Sequence, residues 1–154
     1  MSGIKSTIIE FERILDESAE ILLKYSEDEA GKKPAPDKWS KKEILGHLLD
    51  SAANNHQRFV RMQMENNLRL PGYEQEQWVA LQHYNTIAWN ELVRFWEAYN
   101  LHLLHVLRHL NPAKLSNTAI IGSNDEMTLE FIIEDYVGHL KHHLEQIVEE
   151  RIQA

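Results

Sequence analysis

The sequence contains no cysteine among its 154 residues, which excludes disulfide bridges, thiolate metal ligands and a cysteine nucleophile within this chain. Basic residues are also few: 16 Lys and Arg face 24 Asp and Glu, so the net charge is −8 at pH 7. Such a charge disfavours a general binder of nucleic acid or of anionic membranes. The sequence shows neither a signal-peptide core nor a membrane span, and we expect a cytoplasmic protein.

Glycine and proline are scarce, with six and four residues, and runs of alternating β-branched residues are few. This composition predicts a mostly helical protein, and the chain length predicts a single domain over residues 1–154. Apolar residues recur at helical spacing in four long segments, at 7–26, 40–66, 85–110 and 128–152. Four amphipathic helices bury their apolar stripes only against one another, so we predict an all-α four-helix bundle.

The predicted connections are long in two places. About twenty residues separate helices two and three, which permits these helices to run parallel. Residues 113–127 join helices three and four as a loop, in which 118–121 and 122–125 are predicted as a small strand and a turn. Residues 27–38 contain Gly31, Pro34 and Pro36 and are predicted as a surface connection.

Several helix starts carry capping residues. Ser40 with Glu43 forms a capping-box pattern, and Trp39 precedes it as a hydrophobic staple. The sequence from Thr7 to Glu10 has the same pattern at the start of helix one. For helix three the candidate caps are Asn85 or Thr86, and for helix four the cap is Thr128.

Nine histidines are the unusual feature of the composition. His139 and His143 stand at i and i+4 in helix four, a spacing that places two imidazoles on one helix face within reach of a single metal ion. The same face carries Ile132, Tyr136 and Ile147, so we expect both histidines to point inward. A surface position or plain core packing is the alternative for such a pair.

A third ligand must come from another helix, and His47 is the candidate. It lies about 10 Å into helix two, whereas His143 lies about 14 Å from the predicted end of helix four. The two positions are level if these helices are antiparallel. His47 also heads a polar strip of Asp50, Asn54 and Arg58, which suggests a lined cavity, although a solvated helix face is the alternative.

A rival group of histidines lies in helix three, at His102, His105 and His109. Cations near a helix C-terminus interact favourably with its dipole, and this gives the group a structural explanation without a metal. His56 and His83 have no partner at ligand spacing and are expected to be structural or surface residues.

Two segments together resemble the DinB-like superfamily: WSKKEILGHLLDS at 39–51, continuing to Asn54, Asn55 and Arg58, and HLKHHLEQI at 139–147. Within it they are similar to the branch of metal-dependent hydrolases that includes the bacillithiol S-transferases. The resemblance implies a bundle in up-down-down-up order with helices two and four antiparallel. It also implies a homodimer and one divalent ion, zinc or nickel. The metal ligands implied by the resemblance are His47, His139 and His143.

Three imidazoles leave a divalent ion an open coordination position. A water there would be acidified for hydrolysis, and a thiol there would be held as a thiolate nucleophile. The resemblance implies the second chemistry, with a low-molecular-weight thiol and an electrophile as small-molecule partners. A metal-dependent hydrolase and a non-catalytic, stress-associated helical dimer are the alternatives.

The expected roles of the remaining site residues follow from this thiol hypothesis. Asn54, Asn55 and Arg58 would bind the thiol's carboxylates or hydroxyls, and Asp50 would orient that ligand or act as a base. Tyr136 would supply a hydroxyl to the cavity, with a role as a core aromatic as its alternative. Gln146 is either a hydrogen-bond partner of His143 or a packing residue.

Overall fold

The computed structural model describes residues 3–148 of the chain. The long helices are α1 (Gly3–Leu23), α3 (Lys41–Met64), α5 (Trp89–Arg108) and α6 (Leu129–Val148). The short helices are α2 (Glu27–Gly31) and α4 (Gln75–Gln82), and the strands are β1 (Leu68–Leu70), β2 (Thr118–Ile121) and β3 (Glu126–Thr128). None of the helices in this part of the chain is both long enough and apolar enough to cross a membrane.

Helices α1 and α3 each pack against both α5 and α6, which makes a four-helix bundle. Contacts along α1 fix two of the directions. Gly3 lies beside the carboxylate of Glu134, and Glu10 pairs with Lys141 at 3.6 Å, so both helices advance by seven residues between the two contacts and are parallel. The indole nitrogen of Trp89, at the start of α5, donates to the Leu22 carbonyl at the end of α1, so α1 and α5 are antiparallel.

The other two directions follow from α3. Its N-terminal Lys41 donates to the carbonyl of Ile147 near the end of α6, at 2.8 Å, so α3 and α6 are antiparallel. The Ser40 hydroxyl, just before α3, donates to the Asn85 side chain shortly before α5, and His56 further along α3 contacts Tyr99 further along α5, so those helices are parallel. The predicted up-down-down-up order is therefore confirmed, and it levels the start of α3 with the end of α6.

The interior of the bundle is apolar and aromatic. The predicted inner face of the last helix is confirmed, because all seven of its residues are buried: Leu129, Ile132, Ile133, Tyr136, Leu140, Leu144 and Ile147. The largest fully buried side chains are Trp89, Trp96, Phe11 and Phe59. Burying side chains of this size supplies about 1.5–3 kcal/mol each before the entropy cost is subtracted.

A three-stranded sheet, in the order β1-β2-β3, joins the connection that follows α3 to the connection that precedes α6. β1 pairs with β2 in parallel, with Leu68 opposite Ala119, and β2 pairs with β3 in antiparallel, with Thr118 opposite Thr128. The predicted strand at 118–121 and its following turn are confirmed. Strand β1 was not predicted, because three residues carry too little periodic signal.

Two of the predicted caps are confirmed. The Ser40 hydroxyl accepts from the Glu43 amide at 3.1 Å, and the Glu43 carboxylate accepts from the Ser40 amide at 3.0 Å. At the start of α6 the Thr128 hydroxyl accepts from the Phe131 amide at 3.1 Å. The first of these caps fixes where α3 begins and hence the depth at which its side chains enter the bundle.

Two other predicted helix starts are wrong. α1 begins at Gly3, and Thr7 lies inside it, where its hydroxyl donates to the Gly3 carbonyl. Neither Asn85 nor Thr86 caps α5, which begins at Trp89. The backbone amide of Trp89 donates instead to the carboxylate of Glu27 in α2. This cap comes from a distant segment, so the local sequence could not reveal it.

The prediction of a plain surface connection over residues 27–38 is also corrected. Glu27–Gly31 forms the short helix α2, capped by Ser26, whose hydroxyl accepts from the Glu29 amide at 3.1 Å. The prediction that the last helix ends near Ile152 falls outside the described residues.

Candidate metal centre

His47 lies in the second turn of α3, at the level fixed by the Ser40 cap, and is fully buried. Its ring centroid lies 5.2 Å from that of Trp39, which packs against it from the chain just before the helix. Neither ring nitrogen of His47 has a hydrogen-bond partner among residues 3–148. An imidazole that is buried without partners is costly, so a ligand for it is expected.

His139 and His143 face His47 from α6. Their own ring centroids are 4.3 Å apart and their Nε2 atoms are 3.0 Å apart. The His47 centroid lies 5.5 Å from that of His139 and 4.8 Å from that of His143. One ring nitrogen from each of the three histidines lies within 4.8 Å of the other two. The antiparallel packing of α3 and α6 thus brings His47 next to His139 and His143, as predicted.

The protonation of the three rings suits a metal ion. Burial, together with the nearby charges of His143 and His139, lowers the pKa of His47 to about 4. Burial also lowers the pKa of His139 and of His143 below the ordinary value. All three imidazoles are therefore neutral near pH 7, and a neutral ring nitrogen is the form that coordinates a divalent ion. The donor set and the unpartnered nitrogens of His47 fit such an ion.

Gln146 holds the ring of His143 from the opposite side. With its proton on Nδ1, His143 donates to the Gln146 Oε1 at 2.8 Å, which leaves Nε2 free to face the other histidines. A hydrogen bond of this kind fixes the tautomer and the ring orientation of a metal ligand. The structure therefore contains the hydrogen bond that a role for Gln146 as the partner of His143 requires.

A cavity of about 320 Å³ opens beside His139. Three of the predicted substrate-binding residues line it: Asn55, Arg58 and Tyr136. The remaining polar residues that line the cavity come partly from the connections and were not predicted: Ser51, Tyr73, Gln75, Asn124 and Asp135. Tyr73, Gln75 and Asn124 are placed by how the connections fold back on the bundle, which no local spacing signals. Ser51 and Asp135 stand one helical turn from His47 and His139, and that spacing could have indicated them.

Asn54 does not line this cavity. Its side-chain amide donates to the Asp50 carbonyl at 2.9 Å, and it borders a separate depression beside Leu70 and Pro71. The predicted polar strip therefore divides in part: Arg58 borders both the cavity beside His139 and this depression, whereas Asn54 borders the depression alone.

Asp50 is buried one turn after His47, and it also lies outside the cavity lining. Its Oδ1 accepts from the Tyr84 hydroxyl at 2.6 Å and from the Gln82 amide at 2.8 Å, while its Oδ2 has no partner within the described part of the chain. Burial raises the pKa of this carboxyl. Tyr84 and Gln82 lie more than thirty residues away from Asp50, and sequence patterns did not select them.

Tyr136 presents its ring to the cavity, but its hydroxyl is engaged elsewhere. The hydroxyl donates to the side-chain oxygen of Asn100, a buried residue of α5. The ring makes edge contacts with Phe11 and Phe59, at centroid distances of 5.9 and 5.7 Å. Burial raises the pKa of Tyr136 far above its ordinary value. These contacts are those of a core aromatic residue, which is the alternative role of Tyr136.

The rival histidines lie on the exposed side of α5. The rings of His105 and His109 are 4.4 Å apart, and that of His102 contacts the ring of His56 at 5.3 Å. Within residues 3–148, the group of His47, His139 and His143 is the one that brings three such side chains within reach of one ion.

The sequence profile of the DinB superfamily matches residues 10–147. A relative from Oceanobacillus iheyensis, named "Putative metal-dependent hydrolase", is 20% identical over 147 residues, which cover 96% of this chain and 84% of the relative. A relative of the same name from Bacillus mycoides is 27% identical over 71% of this chain, and the match spans 62% of its own length.

Two solved structures share the fold. YfiT from Bacillus subtilis, described as "a probable metal-dependent hydrolase with an unusual four-helix bundle topology", matches with a TM-score of 0.86 and 19% identity, over 97% of this chain and 87% of YfiT. A DinB-like protein from the same organism, YjoA, matches with a TM-score of 0.62 and 19% identity, over 94% of this chain and 90% of its own. With a profile match across nearly its whole length and the same bundle, this chain belongs to the DinB superfamily.

Proposed function

We propose that this protein is a metal-dependent enzyme that acts on small molecules, with His47, His139 and His143 as the ligands of one divalent ion, zinc or nickel. The observation that carries the proposal is the approach of three ring nitrogens to within 4.8 Å, one of them on a buried imidazole with no other partner. The names of the relatives as metal-dependent hydrolases support it.

A divalent ion with three imidazole ligands supplies a Lewis acid that lowers the pKa of a thiol or water in its open position. The chain itself orients the metal ligands and shields them from water. Gln146 holds the His143 ring by its Nδ1 proton, and Trp39 covers the His47 ring. Asn55 and Arg58 offer hydrogen-bonding groups to a substrate in the adjoining cavity.

Transfer of a small thiol to an electrophile is the first candidate reaction. The chain has no cysteine, so the sulfur nucleophile would arrive as a bacillithiol-like cosubstrate. The cavity beside His139 lies at the lower end of the size range of ligand sites, roughly 300–1,000 Å³, and is lined mainly by polar groups suited to a hydrophilic thiol. The resemblance of the two histidine segments to the branch with bacillithiol S-transferases supports this candidate.

Hydrolysis is the second candidate, and the relatives' names favour it. The two reactions are separated by loading the protein with zinc or nickel and measuring two rates. One is the loss of free thiol in the presence of 1-chloro-2,4-dinitrobenzene, and the other is the release of nitrophenol from nitrophenyl esters. We expect metal-dependent thiol loss that is absent in His47→Ala; metal-dependent ester cleavage alone would favour the hydrolase. A loaded protein that accelerates neither reaction would support the non-catalytic dimer.

The predicted homodimer belongs to this proposal as well. The mass of the protein in solution, measured by light scattering during gel filtration, tests it directly. A mass of twice the 18.1 kDa chain is expected, and a mass of one chain would contradict it.

A further inference from the structure

Arg58 lies in the cavity without a charged partner in the part of the chain that the structure describes. It is half-buried in α3, and its Nη1 is 3.5 Å from the Asn55 Oδ1, a long contact with a neutral group. Among residues 3–148, no carboxylate lies within 4.0 Å of its guanidinium. Burial lowers the pKa of Arg58, which marks the loss of hydration around the cation. Burying a cation away from water is unfavourable unless an anion compensates for the lost hydration, and a bound ligand can supply that anion.

Tyr73 and Asp135 are the competing partners for Arg58. Both line the same cavity and both raise the pKa of Arg58, but burial raises the pKa of the Tyr73 hydroxyl, so that group is uncharged near pH 7. Asp135 is nevertheless exposed to solvent and beyond ion-pair distance from Arg58. Water screens such an exposed charge strongly, so it compensates little of what Arg58 loses by burial.

The same cavity wall contains His139, one of the three candidate metal ligands. Eleven residues separate His47 from Arg58, or about three helical turns, so both side chains leave the same face of α3. Side chains in a helix tilt toward its N-terminus, which directs the Arg58 side chain back toward His47. A single small molecule in the cavity can therefore contact both Arg58 and a metal ion held by His139.

We propose that Arg58 binds a carboxylate of the substrate, so that the site selects small molecules that carry a carboxylate in addition to their metal-binding group. Arg58 is the one permanently charged cation that the described residues contribute to the cavity wall. A single cation suits a single negative charge better than a dianionic phosphate. A guanidinium also matches the two oxygens of a carboxylate in a bidentate geometry. This inference rests on the proposed function and names its substrate class.

The test measures binding at the metal site directly. Cobalt(II) replaces the native ion, and thiol binding is followed by the sulfur-to-cobalt charge-transfer absorption. The probes are two matched pairs of different spacer length: 3-mercaptopropionate with 3-mercapto-1-propanol, and 6-mercaptohexanoate with 6-mercapto-1-hexanol. In the unmodified protein we expect the acid of at least one pair to bind about tenfold more tightly than its alcohol, as charge-assisted hydrogen bonds predict.

Substitutions of Arg58 test whether this residue causes the preference for the acid. Arg58→Gln should abolish the acid preference while leaving the alcohol affinity and the cobalt content unchanged, and Arg58→Lys should retain part of it. Arg61→Gln is the matched control, because Arg61 is an exposed arginine of the same helix and does not line this cavity. It should behave as the unmodified protein does. An acid preference that survives in Arg58→Gln, or none in the unmodified protein, would overturn the inference.

A second measurement separates this inference from the thiol proposal. If no thiol produces the absorption band, thiol binding to the metal is wrong, but the carboxylate site can still be judged. Calorimetry with hexanoate and with 1-hexanol then compares the unmodified protein with Arg58→Gln. Hexanoate should bind the unmodified protein at least tenfold more tightly, and equal binding to both proteins would overturn the carboxylate site.

Discussion

The ring of Tyr84 lies directly against the backbone of Gly46, so closely that a Cβ atom on residue 46 would be 2.1 Å from the Tyr84 Cδ2. This approach lets the Tyr84 hydroxyl reach Asp50 one turn further along α3. The glycine immediately before His47 is thus explained by packing. It admits the aromatic ring that holds residues 82–84 against the helix carrying the candidate ligand.

Replacing Gly46 with alanine should therefore destabilise the protein. The methyl group would displace the Tyr84 ring and its bond to Asp50, and overpacking of this kind costs about 1–3 kcal/mol. Urea unfolding measures the effect. Gly138→Ala is the matched control, because Gly138 is also within a helix but has open space at its Cβ position, so this change should stabilise the protein by up to about 1 kcal/mol.

A double variant makes the test specific to the ring. In a Tyr84→Ala background the cost of Gly46→Ala should largely disappear, because the atoms that obstruct the methyl group have been removed. If the cost remains the same in that background, a source other than Tyr84 is responsible and the packing explanation is wrong.

The metal content of single histidine variants tests the centre. His47→Ala, His139→Ala and His143→Ala should each reduce bound zinc or nickel from about one equivalent per chain to a small fraction, because each removes one of three ligands. Metal analysis by mass spectrometry after dialysis provides the measurement. His142→Ala is the control, since His142 is exposed on the same helix, and it should keep its metal. Full occupancy in His47→Ala would remove that residue from the site.

Gln146 should set the strength of metal binding without being a ligand. Gln146→Ala removes the acceptor for the His143 Nδ1 proton, and losing such a partner weakens metal affinity by about 10- to 100-fold. Competition with a chromophoric chelator measures the dissociation constant. Gln146→Glu keeps an acceptor oxygen and should restore most of the affinity. Equal affinities in the alanine variant and the unmodified protein would reduce Gln146 to a packing residue.

Asp50→Asn separates a chemical role of this carboxyl from a structural one. Asparagine retains an oxygen that can accept from Tyr84 and Gln82, so we expect the fold and metal content to be kept. Asp50→Ala removes both hydrogen bonds and should lower the free energy of unfolding by about 1–3 kcal/mol. The rate of thiol loss decides the base role: an unchanged rate in Asp50→Asn makes Asp50 a positioning residue, whereas a large fall with pH dependence supports the predicted base.

Acid should destabilise the metal-free protein in a defined range. An unperturbed histidine has a pKa of 6.5, whereas burial lowers that of His47 to about 4 in the folded protein. Between these values the unfolded chain binds a proton that the folded protein does not, so the free energy of unfolding falls as the pH drops from 6.5 to 4. Urea unfolding at several pH values measures this slope.

The control for the acid effect is His47→Gln, whose slope over that range should be smaller. Glu27 and Glu43, whose pKa values are lowered by hydrogen bonds, contribute mainly below the ordinary carboxyl pKa of 4.5 and overlap only the lowest part of this range. The lowered pKa values of His139 and His143 also add to the slope, and these contributions are present in both proteins. An identical slope in His47→Gln and in the unmodified protein would contradict the assignment to His47.

Much of the fold could be predicted because its determinants are local. Ser40 and Thr128 start their helices through contacts three residues away, and the apolar spacing of α6 predicts its buried face. The start of α5 could not be predicted, because its cap is the Glu27 carboxylate from a distant helix. Strand β1 could not be predicted for the same reason, since Leu68 pairs with Ala119, which lies some fifty residues further along the chain.

The candidate site divides in the same way. The sequence by itself determined that His139 and His143 share one face of a helix, because a spacing of four residues is geometry within a single turn. Only the tertiary structure decided that His47 meets them, that Asp50 bonds to Tyr84 and that Arg58 has no anion beside it within the described residues. Those relationships join segments far apart in the chain, and their distances depend on how whole helices pack, which no local pattern encodes.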